Sequence, residues 1–219
     1  MSGRMWKNKF LRSPSPPAPL PEGEGSQFLS LPKGERQRVR AIHINTKYMF
    51  DLKSLIREIP DCPIKGVGFK DITPLLQDAK AFRFAIDELV KPFQKQKIDV
   101  IVGLDARGFI LAAAAAYKLG CGLAIVRKNG KLPWKTVSKK YKLEYAENVF
   151  EMHTDSIKAE QKVLIVDDVL ATGGTMNATV DLVKKLKGKI IGVAFLINLT
   201  FLHGEKKLKG QKIYSVVEY

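Results

Sequence analysis

Residues 163–178 read VLIVDDVLATGGTMNA, in which two acids and a glycine-rich turn follow a run of apolar residues. Burying Asp167 and Asp168 without partners would cost several kcal/mol, so we expect the strand to end at Val166 and both acids to lie at the rim of a sheet. The turn Thr172–Thr175, TGGT, then leads into a helix, and its glycines let backbone N–H groups surround an anion at the positive end of that helix. The pattern predicts a phosphate site.

The two acids indicate what kind of phosphate this site binds. In a nucleotide-binding P-loop a lysine follows the glycines, whereas here no lysine follows and two carboxylates stand before them. Carboxylates accept hydrogen bonds and therefore suit hydroxyl groups. The complete string favours a phosphorylated sugar, with its hydroxyls on Asp167 and Asp168 and its phosphate on residues 172–175. TGGT alone is equally compatible with a helix start after a surface turn.

The elements that must position this site form a regular alternation. Four short apolar runs are typical of buried strands: Ile98–Gly103, Gly122–Val126, Val163–Val166 and Ile190–Ile197. Two helical patterns lie among them: Phe109–Leu119 and Asn177–Leu186. Continuous apolar strands separated by helices predict a parallel sheet covered on both faces. Such sheets bind ligands at the carboxyl ends of their strands.

Two more helices are predicted before this alternation. Apolar residues at three- and four-residue steps from Lys47 to Ile59, ahead of Pro60, predict the first. A second amphipathic pattern runs from Phe82 to Phe93. The stretch between them, DCPIKGVGFKDITP, is rich in turn residues, and we expect it to be irregular.

Basic residues mark two further junctions. Arg107 follows the Ile98–Gly103 strand and opens a helix, where a guanidinium grips two phosphate oxygens at once. This predicts a pyrophosphate site, with an arginine at a sheet edge as the alternative. Residues 127–142 contain seven basic side chains: Arg127, Lys128, Lys131, Lys135, Lys139, Lys140 and Lys142. A basic loop of this length predicts a mobile lid over anions, although such a charge run also occurs as a solvated face.

VLIVDDVLATGGT resembles the phosphoribosyl-pyrophosphate (PRPP) signature of the type I phosphoribosyltransferases. GVGFKDITPLL, GLDARGF, RKNGKLP and YKLEY precede it in that order and resemble the adenine phosphoribosyltransferases in particular, over roughly residues 47–219. The resemblance implies a twisted, mainly parallel sheet flanked by helices, with a small hood and a flexible lid loop. It also implies transfer of the phosphoribosyl group of PRPP to adenine, giving AMP and pyrophosphate, with Mg²⁺ brought by PRPP and a homodimeric assembly.

The same resemblance implies roles for individual residues. The phosphate and ribose of PRPP are expected on Asp167, Asp168, Ala171, Thr172, Gly173, Gly174 and Thr175. Pyrophosphate is expected on Asp105, Ala106, Arg107, Gly108, Arg127 and Lys131. Adenine is expected on Val67, Phe69 and Lys70. The resemblance makes Glu144 catalytic together with Asp167 and Asp168, and Tyr145 a support of the closed loop. Three positions depart from the family pattern: Ala106, which often is Ser, Lys70, which often is Arg, and Gly68, which often is larger and apolar.

Composition sets limits on the organisation of the chain. Residues 1–45 are rich in Pro, Ser and Gly and are expected to form a disordered leader, with the phosphoribosyltransferase domain at 46–219. The leader resembles an organelle transit peptide, and a flexible segment of no targeting value explains it equally well. The two cysteines and three histidines form neither a disulfide framework nor a zinc motif. A reducing compartment, the cytoplasm, is the expected location, and no apolar stretch is long enough to span a bilayer.

The charge leaves two other functions open. The chain carries +15, and residues 1–45 hold eight Lys/Arg against three Asp/Glu, which leaves +10 on residues 46–219. A PRPP-sensing regulator that binds nucleic acid is therefore an alternative, although residues 1–45 show no helix-turn-helix pattern and no aromatic-interleaved basic patch. The enzymatic alternative is transfer to a 6-oxopurine such as hypoxanthine or guanine on the same fold.

Overall fold

The structure is a computed structural model that describes residues 51–62, 68–142 and 147–219. All of these residues belong to one compact unit, Thr46–Tyr219. Its strands are β1 Arg57–Ile59, β2 Phe69–Asp71, β3 Val100–Leu104, β4 Gly122–Lys128, β5 Thr136–Lys142, β6 Glu147–His153, β7 Lys162–Leu170, β8 Lys189–Asn198 and β9 Ile213–Glu218. Its α-helices are α1 Thr73–Gln77, α2 Ala79–Val90, α3 Arg107–Leu119 and α4 Gly174–Lys185. Short 3₁₀ turns occupy Leu52–Leu55, Lys91–Phe93, Thr200–Leu202 and Gly204–Lys207.

A seven-stranded sheet organises the molecule, in the order β5-β6-β4-β3-β7-β8-β9. The strands from β4 to β9 in this order are parallel, whereas β5 and β6 form an antiparallel hairpin, here called the lid hairpin. β1 and β2 form a separate antiparallel pair, here called the hood. The predicted fold class, a mainly parallel sheet flanked by helices, is confirmed.

Alternate side chains of the central strands pack on opposite faces of the sheet. Leu164 and Val166 of β7 lie in one apolar cluster with residues of α1, α2 and α3. Val163 and Ile165 lie in a second cluster with residues of α4. Each fully buried aliphatic side chain contributes about 1.5–3 kcal/mol, so burial on both faces explains why these strands read as continuous apolar runs.

The predicted helices Phe109–Leu119 and Asn177–Leu186 correspond to α3 and α4, and the Phe82–Phe93 pattern corresponds to α2 with its closing turn. Close packing of α3 on the sheet is visible at Gly103, where an added Cβ would lie 2.7 Å from the Cβ of Ala112. No helix in the described ranges is long and apolar enough to cross a membrane.

The predicted helix from Lys47 to Ile59 is wrong within the described residues. The chain there forms the turn Leu52–Leu55 and then β1, which pairs with β2. Ile59 precedes Pro60, which disfavours helical backbone, and β2 supplies the hydrogen-bonding partner that favours a strand. The irregular stretch predicted after it was also wrong in part, because it contains β2 and the start of α1.

The lid region and the end of β7 differ from expectation as well. Residues 127–142 do not form one long loop: β4 continues to Lys128, and β5 begins at Thr136. Val137 and Tyr141 pack on the core beside α4, and Lys139 stands between them on the same face, so the basic residues concealed a strand pattern. β7 continues to Leu170, which places both acids within the strand rather than beyond its end. Pairing of Asp167 with Phe195 of β8 extends the strand through the acids.

Candidate active site

The carboxyl ends of β3, β4 and β7 carry most of the predicted site residues. Arg107 is the first residue of α3, which directly follows β3, and Arg127 lies near the end of β4. Asp168 lies near the end of β7. Parallel strands bring their carboxyl ends to one edge, so residues far apart in sequence meet there.

A small cavity of about 90 Å³ forms at the turn after β7. It is lined by Asp167, Val169, Leu170, Ala171, Thr172, Gly173, Gly174, Thr175 and Met176. α4 begins at Gly174, and no side chain of the described residues caps its first turn. α2, by contrast, is capped by Asp78, which accepts the N–H groups of Lys80 and Ala81. The start of α4 thus has backbone donors that could bind an anion, and the phosphate site stays a prediction.

Close backbone packing shapes this turn. Gly173 has a left-handed φ of 74° and lies against the backbone of Gly204, with no space for a Cβ. Gly174 lies against the ring of Tyr141 from the lid hairpin. Any larger residue at either glycine would have to displace a neighbour. The phosphate turn is therefore held from both sides by parts of the chain that the motif does not contain.

A larger cavity of about 580 Å³ joins three of the predicted sites. Its lining includes Phe69 and Lys70 from the hood, Arg107, Asp168, and Ala171 and Thr172 from the phosphate turn. Leu199, Phe201 and Leu202 give it an apolar wall. An apolar wall beside a few charged groups fits a ligand with a flat aromatic part and a polar part.

The two aspartates of β7 face different surroundings. Asp168 is buried and lines the large cavity, whereas Asp167 lines the small one. The N–H of Asp168 donates to Asp167 Oδ1 at 2.9 Å. Burial raises the pKa of Asp167 well above its ordinary value of 3.8, and the neighbouring Asp168 carboxylate raises it further. Burial also raises the pKa of Asp168, and the charge of Arg107 opposes that rise.

We expect Asp167→Asn to stabilise the fold more strongly as pH rises. A raised pKa means that the folded chain keeps a proton where the unfolded chain has lost it, so this stability is full below pH 3.8 and is lost as pH rises through the folded pKa. Asn has no charge to bury and still accepts the Asp168 N–H. Its Tm advantage should be near zero below pH 4 and about 2–4 °C at neutral pH, measured by differential scanning calorimetry. An advantage that shrinks with rising pH would contradict the assignment.

Arg107 connects the hood to β7. Its Nε lies 2.6 Å from Asp168 Oδ2, its guanidinium lies 4.5 Å from the centre of the Phe69 ring, and its Nη1 donates to the Lys70 carbonyl at 3.4 Å. The contact with Asp168 is ionic rather than a well-aligned hydrogen bond, because Oδ2 is buried without a hydrogen-bond partner among the described residues. The Asp168 carboxylate thus lies at the wall of the large cavity with Arg107 as its counter-ion.

A second arginine pairs with the loop after β3. Arg127 Nε donates to Asp105 Oδ2 at 3.1 Å, and its Nη1 donates to the Lys131 carbonyl at 3.3 Å. The peptide bond between Asp105 and Ala106 is cis. The structure thus brings Asp105, Arg127 and the backbone carbonyl of Lys131 together, and pyrophosphate binding there stays a prediction. Both arginines are balanced by carboxylates, so an incoming anion competes with Asp105 and Asp168 for them.

Comparison with known proteins agrees with this geometry. A phosphoribosyl transferase domain model matches residues 71–218. The chain is 54% identical over 171 residues to an adenine phosphoribosyltransferase of Geobacter metallireducens, which covers 78% of this chain and 100% of that protein. The chain belongs to the adenine phosphoribosyltransferase family.

Solved adenine phosphoribosyltransferase structures share its fold. The enzyme from Thermoanaerobacter pseudethanolicus is 50% identical with a TM-score of 0.75, covering 77% of this chain and 98% of that one. The Saccharomyces cerevisiae enzyme, solved with adenine and an imino-altritol bisphosphate, is 36% identical with a TM-score of 0.71, covering 75% and 95%. Structural agreement therefore extends to relatives of moderate sequence identity.

Two departures from the pattern of the adenine phosphoribosyltransferases are linked in the hood. Lys70 Nζ lies 2.9 Å from Glu58 Oε2, its cross-strand neighbour, and 4.1 Å from the centre of the Tyr219 ring. An added Cβ on Gly68 would lie 2.7 Å from Glu58 Oε1. Gly68 thus leaves space for the carboxylate that holds Lys70. The Lys70 side chain is only 9% exposed, and its ammonium is bound by these two groups.

We expect Lys70→Met to raise the KM for adenine about fivefold, because it removes a cation–π contact and an ion pair to the exposed Glu58, worth roughly 1 kcal/mol together. Lys70→Arg is the matched control, because it keeps the charge. Its KM for adenine should stay within about twofold of the parent value. The measurement is steady-state kinetics with adenine and PRPP varied in turn. A larger change in the KM for PRPP than for adenine would argue against a role in the hood.

Some predicted residues of the candidate active site lie outside the described ranges, and several residues that line it were not predicted. Val67, Glu144 and Tyr145 lie outside the described residues, so their roles stay predictions. Leu199, Phe201 and Leu202 were missed, as were Gly204 and Tyr141. The stretch NLTFLHG, which begins at the last residue of β8, could have indicated this wall of the cavity, since Phe201 and Leu202 are apolar residues just beyond the carboxyl end of a strand.

Proposed function

We propose that this protein transfers the phosphoribosyl group of PRPP to adenine, forming AMP and releasing pyrophosphate. The observation that carries the proposal is the single cavity in which Phe69, Arg107, Asp168 and Thr172 meet. It joins an aromatic surface for a base, a guanidinium for phosphates, a carboxylate for hydroxyls and the edge of an anion site. Membership in the adenine phosphoribosyltransferase family supports the choice of base.

The parts of PRPP are assigned by the chemistry of the groups around them. The 5′-phosphate binds the uncapped start of α4 and the threonine hydroxyls of the turn. The ribose hydroxyls donate to the carboxylate of Asp168, which lines the large cavity. Asp167 lines the neighbouring small cavity, where its carboxyl group accepts a hydrogen bond from the ribose. Pyrophosphate binds Arg107, Arg127 and Lys131, with the backbone of 105–108 as further donors.

Adenine occupies the apolar side of the cavity. Phe69 offers a ring face, and Leu199 and Phe201 lie in the same lining. Flat bases stack on aromatic rings. The backbone of residues 68–70 supplies polar groups for the exocyclic amine, and Lys70 contributes through its place in the hood.

The reaction is a displacement at the anomeric carbon. The bond from that carbon to a pyrophosphate oxygen breaks, and its electron pair leaves with pyrophosphate. A ring nitrogen of the imidazole half of adenine forms the new bond, and its proton is released by way of Glu144 to the solvent. Arg107 and Arg127 stabilise the charge of the leaving group, which is the effect expected to contribute most to the rate. Glu144 is proposed to steady the charge and proton on the base.

Magnesium is proposed to enter the site with PRPP. Within the described ranges, no three His, Cys, Asp or Glu side chains converge on one point. Mg²⁺ commonly binds substrate phosphates and keeps several of its waters, so the carboxylates of Asp167 and Asp168 fit as indirect partners. Bound in this way, Mg²⁺ would supply positive charge to the pyrophosphate oxygens.

We further propose a homodimer in the cytoplasm, with residues 1–45 as a leader. Ile110 and Tyr117 lie two turns apart on α3 and are 44% and 91% exposed, and Leu123 of β4 is 46% exposed. The described pairing of β4 with β6 is confined to Arg127 and Lys128, and Gly122 and Leu123 are exposed, so the start of β4 offers a surface to a second copy. Sedimentation velocity tests the assembly, and a monomer at micromolar concentration would contradict it.

A screen of purine bases with PRPP and Mg²⁺ tests the function directly. We expect pyrophosphate release that depends on adenine, with hypoxanthine and guanine at least about a hundredfold slower, because a site built for an amine leaves its polar groups unpaired with an oxo base. Equal turnover of hypoxanthine would identify a 6-oxopurine enzyme. PRPP binding without base-dependent pyrophosphate release would identify a sensor.

A further inference from the structure

Glu151 is a buried acid that the proposed reaction does not use. It lies in β6 of the lid hairpin and is only 4% exposed. Its Oε1 accepts the N–H groups of Lys131 and Leu132, both at 3.1 Å. Its Oε2 accepts the Thr136 hydroxyl at 3.4 Å. Burying a carboxylate is costly without such partners, so a buried acid at this point indicates that the chain segment it holds must keep one conformation.

The segment held by Glu151 is the turn between β4 and β5. The N–H of Lys131 points to Glu151, and the carbonyl of the same residue accepts from Arg127. Arg127 in turn donates to Asp105. Arg127 and Glu151 are also register partners in the short pairing of β4 with β6. A continuous chain of contacts therefore runs from Glu151 through Lys131 and Arg127 to the loop after β3.

We propose that Glu151 is a positioning residue for the pyrophosphate half of the site. It fixes the turn so that the Lys131 carbonyl holds the Arg127 guanidinium in place. Glu151 itself touches neither substrate nor product. The inference rests on the proposed function, in which Arg127 and Lys131 bind pyrophosphate, and adds the group that orients them.

Glu151→Ala tests this by comparing the four substrates of the forward and reverse reactions. Loss of two charge-assisted hydrogen bonds is expected to raise the KM values for PRPP and pyrophosphate about tenfold or more, while those for adenine and AMP change less than about threefold. Glu151→Gln is the conservative variant: its carbonyl oxygen accepts both N–H groups, and its amide meets the Thr136 hydroxyl. It should restore the KM for PRPP to within about threefold of the parent.

Asp78→Ala is the matched control. Asp78 also accepts two backbone N–H groups, those of Lys80 and Ala81 at 2.9 Å, but it caps α2 and lines neither site cavity. We expect it to lower Tm without a selective effect on PRPP and pyrophosphate. If Asp78→Ala gave the same kinetic pattern, or if Glu151→Ala raised all four KM values equally, Glu151 would be merely structural. If Gln behaved like Ala, positioning through these hydrogen bonds would be wrong.

A second variant covers the case in which Glu151→Ala does not fold. Glu151→Asp keeps the charge but withdraws the oxygens, so we expect a smaller rise with the same selectivity for PRPP and pyrophosphate, and an unselective rise would overturn the proposal. The affinity for inorganic pyrophosphate, measured by isothermal titration calorimetry, should fall in the same order of variants in which the KM for PRPP rises. If the parent protein showed no adenine-dependent turnover, the proposed function would be wrong. If the parent turned over adenine and the Glu151 variants raised all four KM values alike, only the positioning role of Glu151 would be wrong.

Discussion

Arg107→Ala is expected to lower kcat/KM for PRPP about a thousandfold. Removing one preorganised donor to a developing charge lowers the rate about 10²- to 10³-fold, and Arg107 also orders Asp168. The ion pair to Asp168 at 2.6 Å and the contact with Phe69 place this guanidinium between the hood and β7. Its loss therefore affects phosphate binding and the position of a ribose acceptor together. Asp168→Asn alone should also weaken PRPP use strongly.

The two substitutions should not add. Because Arg107 and Asp168 are in contact, the double variant Arg107→Ala/Asp168→Asn is expected to lose less than the product of the two single losses. Tm gives an independent readout: Arg107→Ala leaves a buried carboxylate without its cation and should lower Tm, and the added Asn should recover part of that loss. Steady-state kinetics and calorimetry of the four proteins provide both measurements.

Arg107→Lys separates charge from geometry. Lysine keeps the positive charge but lacks the planar fork that grips two phosphate oxygens. We expect it to keep the fold and to recover only a small part of the lost kcat/KM. Turnover of Arg107→Ala at the parental rate would remove Arg107 from the site.

The sequence predicted the sheet because burial on two faces leaves a strong pattern. β7 and β8 read as continuous apolar runs, and the helices between strands keep a clear apolar face. The lid hairpin was not predicted, because its lysines interrupt the alternation of Val137 and Tyr141. The segment of β1 carries a helical pattern, because a few apolar residues at mixed spacing satisfy both the helix and the strand pattern, and only the pairing with β2 decides between them.

The candidate site was predictable where it is local and unpredictable where it depends on long-range packing. Asp168, Thr172 and their neighbours lie in one motif, and a glycine-rich helix start has a direct chemical meaning. Glu58, which holds Lys70, belongs to another strand, and Leu199 follows β8. Such partners are set by strand register and by the return of the chain to the same edge, which a single sequence does not display.

Gly173 is where local motif and long-range packing meet, and Gly173→Ala is expected to raise the KM for PRPP about a hundredfold. An L residue at its φ of 74° costs roughly 1–2 kcal/mol, and the new Cβ would overlap the backbone of Gly204. Because backbone cannot rotate away as a flexible side chain does, residues 171–173 must move, and the donors at the start of α4 lose their alignment. Loss of one to two charge-assisted hydrogen bonds to the phosphate accounts for the magnitude.

Gly210→Ala is the control that separates these two causes. Gly210 has a similar φ of 81°, but an added Cβ there meets nothing within 4 Å. It should therefore show the backbone strain alone, as a Tm decrease of a few degrees with an unchanged KM for PRPP. If Gly173→Ala lowered Tm to the same extent and left the KM for PRPP intact, the turn would tolerate displacement from Gly204. The phosphate would then have to bind through groups other than the backbone of this turn.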